Sequence, residues 1–194
     1  MSSGDPVTRV RILETTRRLV ESNAGQPVTM QEISDSAGVS RQALYLHFGS
    51  RVGLMVAATQ YVDENDRFFE RTEQVRQAEN GLAALEAFIT FWADYVTGVT
   101  PLARELLAAR DTDEAAAAAW ADRTDALRNV CQIIVEWLAQ DGFLDPAWTT
   151  ETATDILWSM ISIQTRENLV TERGWSRDEY EQRLYYSLMK ILTV

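Results

Sequence analysis

At 194 residues the chain has room for one helical domain, or for a small head joined to a larger body. Hydrophobic residues make up 46%, which sets disorder aside, and the lone cysteine, Cys131, excludes an intramolecular disulfide framework. No apolar run approaches a membrane span and the N-terminal MSSGDPVTRVRI lacks the apolar core of a signal peptide, so the expected setting is cytoplasmic, without a membrane partner.

The formal net charge of −11 argues at first against nucleic acid, but it is unevenly spread. Residues 1–51 hold six arginines (9, 11, 17, 18, 41, 51) against five acids (5, 14, 21, 32, 35), a balance of +1 that leaves −12 for the remainder. An acidic body repels DNA, so any DNA binding must come from a local surface with specific contacts.

Taken in chain order, Thr8–Ser22 sets Val10, Ile12, Leu13, Leu19 and Val20 among arginines, an amphipathic helix. Asn23-Ala-Gly-Gln-Pro27 ends it with turn residues. In Thr29–Arg51, TMQEISDSAGVSRQALYLHFGSR, Thr29 and Glu32 have the spacing of a capping box. Ile33 and Ala37 share the inner face, Gly38 suits a left-handed stop, and Val39 plugs the gap between two helices. Ser40 caps a second helix, Arg41–Phe48, whose Leu44 and Phe48 point to the core. Arg41, Gln42, Ala43, Tyr45 and His47 are left on its outer face. Helix, glycine turn and short helix is the layout of a DNA-reading helix-turn-helix.

Ser50 caps a longer helix, Arg51 to about Arg76, with Leu54, Ala58, Tyr61, Val62 and Phe69 as its buried stripe. The predicted body continues with a helix over Ala83–Val96, then a new helix started by Thr100-Pro101. Asp111-Thr-Asp-Glu114 offers a second capping box for a helix to Gln140, stopped at Asp141-Gly142. A single helix is expected over Thr149–Thr171, broken by Gly174, and Ser176-x-x-Glu179 caps a last helix through Leu192. Both carry two apolar sets: Ala153, Leu157, Met160, Gln164 and Trp158, Ile161, Leu169 on one; Tyr180, Leu184, Leu188, Ile191 and Tyr185, Met189, Leu192 on the other. A terminal helix needs one face for its own domain. The second predicts a homodimer closed by a four-helix interface through Trp158, Ile161, Leu169, Leu184, Tyr185 and Leu188.

The motif Ile33, Ala37-Gly38-Val39-Ser40, Leu44-Tyr45, His47-Phe48, Ser50 and Leu54 resembles the tetracycline-repressor (TetR) family of bacterial transcription regulators. It covers about one eighth of the chain. Ser34, Gln42-Ala43, Gly49 and Arg51 depart from the residues most common there. The resemblance implies an all-α fold, with a three-helix DNA-binding head over 1–51 and a ligand-binding and dimerisation body over 52–194. It implies a regulator, a repressor that binds a palindromic operator in double-stranded DNA and is released by a small-molecule effector, or alternatively an activator. Candidate DNA contacts are Thr29, Ser40, Arg41, Gln42, Ala43, Tyr45, His47 and Arg51. Phe88, Trp92, Tyr95, Trp120, Thr124, Trp137, Met160 and Gln164 can line an effector cavity, or can be plain core.

Two other readings stay open: a helical protein-interaction module without DNA binding, and an enzyme. Chemistry has little to build on. The only histidine, His47, lies on the DNA face, and Cys131 shares an apolar stripe with Leu127, Ile134 and Leu138. Neither a zinc ligand set nor a phosphate-cradling glycine motif occurs, so no metal or cofactor is expected.

Overall fold

Local capping chemistry starts most of the helices. In a computed structural model, which describes residues 5–23, 28–65 and 68–194 (not the side chains of Phe69 and Gln74), α1 spans Pro6–Ser22. The Asp5 carboxylate accepts from the Val7 and Thr8 amides, and Pro6 occupies the first helical position. The helix therefore begins two residues before the expected Thr8. Helices α2 (Met30–Ala37), α3 (Arg41–Phe48) and α4 (Arg51–Asn65) follow. The turn expected over Asn23–Pro27, the helix continuity expected through residues 66–67 and the buried role expected of Phe69 fall outside the described residues.

Next come α5 (Phe68–Arg76), α6 (Gly81–Ala109) and α7 (Glu114–Gln140). The break expected before Pro101 does not occur. A proline inside a helix costs roughly 3 kcal/mol or more. Here it is offset by continuous burial on both sides: Val96, Val99, Leu102, Ala103 and Leu106 are all buried. The cap of α7 also differs from expectation, since Asp113 rather than Asp111 accepts from the Ala115 and Ala116 amides.

The helix expected over Thr149–Thr171 is in fact broken. α8 runs Thr150–Met160, then α9 covers Ile163–Arg166 and continues as a π-helical turn, Glu167–Glu172. Ser162 Oγ accepts from the Thr165 amide, so a local cap restarts the backbone in the middle of the apolar pattern. The last helix, α10, spans Arg177–Leu192 and begins at Ser176, as its capping sequence predicts.

These helices form two compact units, one of residues 1–66 with 98–122 and the other of 67–97 with 123–194, so the divisions fall within α6 and α7. The first unit has a core of Ile12, Leu13, Val20, Ile33, Ala37, Leu44, Leu54, Ala58 and Val62, with Leu102, Leu106 and Ala116 contributed by α6 and α7. In the second, the rings of Phe68, Phe88, Phe91, Trp92 and Tyr95 cluster at centroid separations of 5.0–6.3 Å. Trp92 Nε1 donates to the buried Tyr180 hydroxyl at 3.1 Å, fixing α10 to α6. The chain end is tied down too: Trp148 Nε1 donates to the Ile191 carbonyl, and the Asp145 amide to that of Leu192.

One expectation about membranes needs correction. By length and composition α6 does reach what a membrane span requires, with mean hydropathy 1.2 in its most apolar window. That window is 56% buried within the protein, as the core helix of a folded domain would be.

Candidate nucleic-acid interface

The helix-turn-helix is built from short-range hydrogen bonds. Thr29 Oγ1 accepts from the Glu32 amide at 3.2 Å, while the Glu32 carboxylate accepts from the Thr29 amide at 2.8 Å and from its hydroxyl at 2.7 Å. Those two donors hold the Glu32 carboxyl below its usual pKa. Gly38 adopts φ +65°, a left-handed conformation in which a side chain is strained, and its amide bonds back to Asp35 as the chain leaves α2. Ser40 Oγ then accepts from the Ala43 amide at 3.1 Å to open α3. The capping box, the left-handed stop at Gly38 and the Ser40 cap are those that spacing predicts.

The far end of α3 is held as tightly. Arg9 of α1 lays its guanidinium over the Phe48 ring, 4.6 Å from the centroid, and donates to the His47 carbonyl at 3.1 Å. Ser50 Oγ accepts from the Gly53 amide to start α4, and a Cβ at Gly53 would run into the Phe48 carbonyl. α3 is therefore fixed at both ends and in its middle, where Leu44 is fully buried.

What it presents outward is chemically mixed. Arg41, Gln42 and Tyr45 are exposed, and Ala43 and His47 are half-buried. Leu46, outside the set of candidate contacts, is 70% exposed, more than Tyr45 at 45%. The signal was available: Leu46 stands one turn after Gln42 and two residues from the inward Leu44, so it must face out. The Thr29 and Ser40 hydroxyls both serve as caps. Arg51 is engaged within its unit, donating to the Val28 carbonyl at 3.2 Å and to Glu105 Oε2 at 2.6 Å.

The profile of bacterial regulatory proteins of the tetR family matches residues 12–58, the stretch that folds into α2, α3 and their supports. A TetR-family transcriptional regulator from Agrobacterium tumefaciens shares the fold across 97% of this chain and 98% of its own, with TM-score 0.75 at 15% identity. The helix-turn-helix segment is thus of the tetR type, and the whole chain has the fold of such regulators. A regulator from Saccharomonospora viridis, solved in complex with choline, superposes over 98% of this chain and all of its own, with TM-score 0.84 at 16% identity. Among curated relatives, the nucleoid occlusion factor SlmA of Marinomonas sp. is 30% identical over 91 residues, 46% of this chain and 45% of its own. The match thus spans less than half the length of such relatives. The profile match and the shared fold together give the DNA-binding fold of a transcriptional regulator.

The other candidate residues distribute unevenly. Phe88, Trp92 and Tyr95 are buried in the second unit, where Trp92 packs near Tyr95 and Phe88 near Phe91. Thr124, Trp137 and Met160 are half-buried there and Gln164 is exposed, while Trp120 packs against the core of the first unit. Of the residues assigned to a dimer face, Ile161, Leu184 and Leu188 are buried in their own chain. Trp158, Leu169 and Tyr185 are half-buried, and Tyr186 is 59% exposed. On α10 the buried stripe ends at Leu192, not at Ile191, which is exposed. Cys131 is fully buried, and desolvation pushes its thiol far above the usual range.

Proposed function

We propose that this chain is a homodimeric repressor that binds a palindromic operator through α3 and leaves it when a small molecule enters the body. The observation that carries the reading is the outward face of α3. Arg41, Gln42 and Tyr45 stand exposed on a helix whose ends and centre are fixed by Arg9, Ser40 and Leu44. A glutamine on such a face can pair bidentately with an adenine edge, and Arg41 can reach guanine or phosphate. Tyr45 and His47 would touch the backbone, and Thr29, Ser40, Ala43 and Arg51 flank the contact. Residues 1–51 would carry the DNA contacts and 52–194 the effector and dimer functions, in the cytoplasm.

One eight-residue helix makes too few contacts for useful specificity, so two heads must act together, about 34–36 Å apart or a multiple of that. Trp158, Leu169 and Tyr185 supply the outward apolar area for the second subunit. The effector is a small, largely apolar molecule held near Tyr95, Thr124, Trp137 and Met160. Choline in the Saccharomonospora viridis regulator is one precedent for a small ligand in this fold. Coupling of ~1–3 kcal/mol between effector and DNA would suffice for a switch.

Selection of duplexes from a random pool tests this directly. Enrichment of palindromes with half-sites one helical turn apart, bound by two chains, is the expected result. Recovery of no sequence preference, or light scattering from a stable monomer at micromolar concentration, would contradict it. An effector that releases the duplex should also perturb tryptophan emission.

A further inference from the structure

We infer that Leu46 reads a base, taking the 5-methyl group of a thymine in the major groove. The inference rests on the regulatory reading above and adds a specificity-determining contact to it. Leu46 is the most exposed large hydrophobic side chain of α3, at 70%. Single exposed leucines are ordinary on protein surfaces, so exposure alone argues nothing. Position does. Leu46 follows Gln42 by one helical turn, adjoins Tyr45, and lies on the side of α3 opposite the buried Leu44.

The sequence of α3, RQALYLHF, contains an arginine and a histidine but no acid, so its face complements a polyanion rather than an apolar protein groove. Once in a major groove, a leucine has no donor or acceptor to offer. Against the polar edges of guanine, adenine or cytosine it would leave hydrogen-bonding atoms dry and unpaired. The thymine methyl is the one apolar group that groove displays. Gln42 and Leu46 are separated by roughly 6 Å along the helix axis. With ~3.4 Å between successive base pairs, the thymine falls one or two pairs from the adenine that Gln42 reads. Arg41, Gln42 and Leu46 would then read three features of one half-site: charge, an amide-matched edge and a methyl.

Replacement of single thymines by deoxyuridine removes the methyl and leaves the pairing edges intact. The probe is a duplex selected from a random pool by the full-length protein, with each thymine replaced in turn. Loss of one buried methyl should weaken binding about fourfold per half-site, and about fifteenfold when both half-sites are changed. In Leu46→Ala, which should fold because the side chain is exposed, the intact duplex should bind about as weakly as the deoxyuridine duplex binds the wild type. Replacing that thymine should then have no further effect. Gln42→Ala should bind weakly yet keep its sensitivity to the same replacement.

If no thymine in a tightly bound duplex is sensitive, or if Leu46→Ala retains full sensitivity, the inference is overturned while the regulatory reading stands. A folded protein that binds no duplex at all overturns both.

Discussion

Glu105→Gln should loosen the anchor at the start of α4. The Arg51 guanidinium bridges the Val28 carbonyl, just ahead of α2, and Glu105 of α6, all within the first unit. A hydrogen bond between charged partners is worth about 1.5–3 kcal/mol. The Arg51 side chain is 35% exposed and that of Glu105 14%, so solvent screening brings the value down to about 1 kcal/mol. For a chain of this size that corresponds to a fall in Tm of roughly 2–4 °C, read by circular dichroism. A double-mutant cycle with Arg51→Met isolates the pair and should give a coupling of at least about 0.5 kcal/mol. The substitution has a second consequence. A guanidinium released from a carboxylate is available to a phosphate, so affinity for the selected duplex should rise. Its salt dependence should steepen by about 0.9 per phosphate gained. An unchanged Tm together with zero coupling would refute the argument that this ion pair holds α4 in place.

The Cys131 thiol, buried and with its thiolate disfavoured, should resist a thiol reagent in the native protein and react fully in denaturant; rapid native labelling would refute the packing of α7. Glu32 is held below its ordinary value of 4.5 by hydrogen bonds from Thr29, so its contribution to stability is present above that value and is lost as pH falls through the depressed folded one. Thr29→Ala should cost about 1 kcal/mol and flatten this acid-side dependence, and identical urea midpoints from neutral to acid pH would contradict it. Tyr185→Arg should give a folded monomer by light scattering and circular dichroism, whereas Leu188→Arg, at a fully buried position, should lose helical signal. A dimeric Tyr185→Arg would exclude that face of α10 as the interface.

How much of this was legible in the sequence depends on the range of the forces involved. The helix-turn-helix is written in contacts three or four residues apart: Thr29 with Glu32, Ser40 with Ala43, Gly38 after Ala37. Such contacts can be read without knowing the fold. Pro101 misled because its local cost is visible, while the burial of Val96, Val99, Leu102 and Leu106 that outweighs it is tertiary. Ser162 misled in the opposite sense, since a real cap sat inside an apolar repeat that suggested continuity. Two apolar sets on α10 were recognised, but which faced inward was not: Leu184 and Leu188 went to the chain's own core. Arg51 is a candidate DNA contact in the sequence, but its partner Glu105 is 54 residues away and no spacing rule connects the two. Helical spacing places Leu46 on the outer face, but an apolar side chain there carries no hydrogen-bonding signal in the sequence.

The central claim is that α3 reads DNA through its outward face, and Gln42→Ala tests it most directly. Binding of a selected duplex by wild type and variant would be measured across a range of salt concentrations. The account predicts a loss of about 1–3 kcal/mol, relaxed preference at one base position in each half-site, and an unchanged salt slope, because an uncharged base contact is removed and the phosphate contacts remain. Equal affinity and equal base preference in Gln42→Ala, persisting when Tyr45→Ala is added, would contradict the claim and move the DNA-binding surface away from α3.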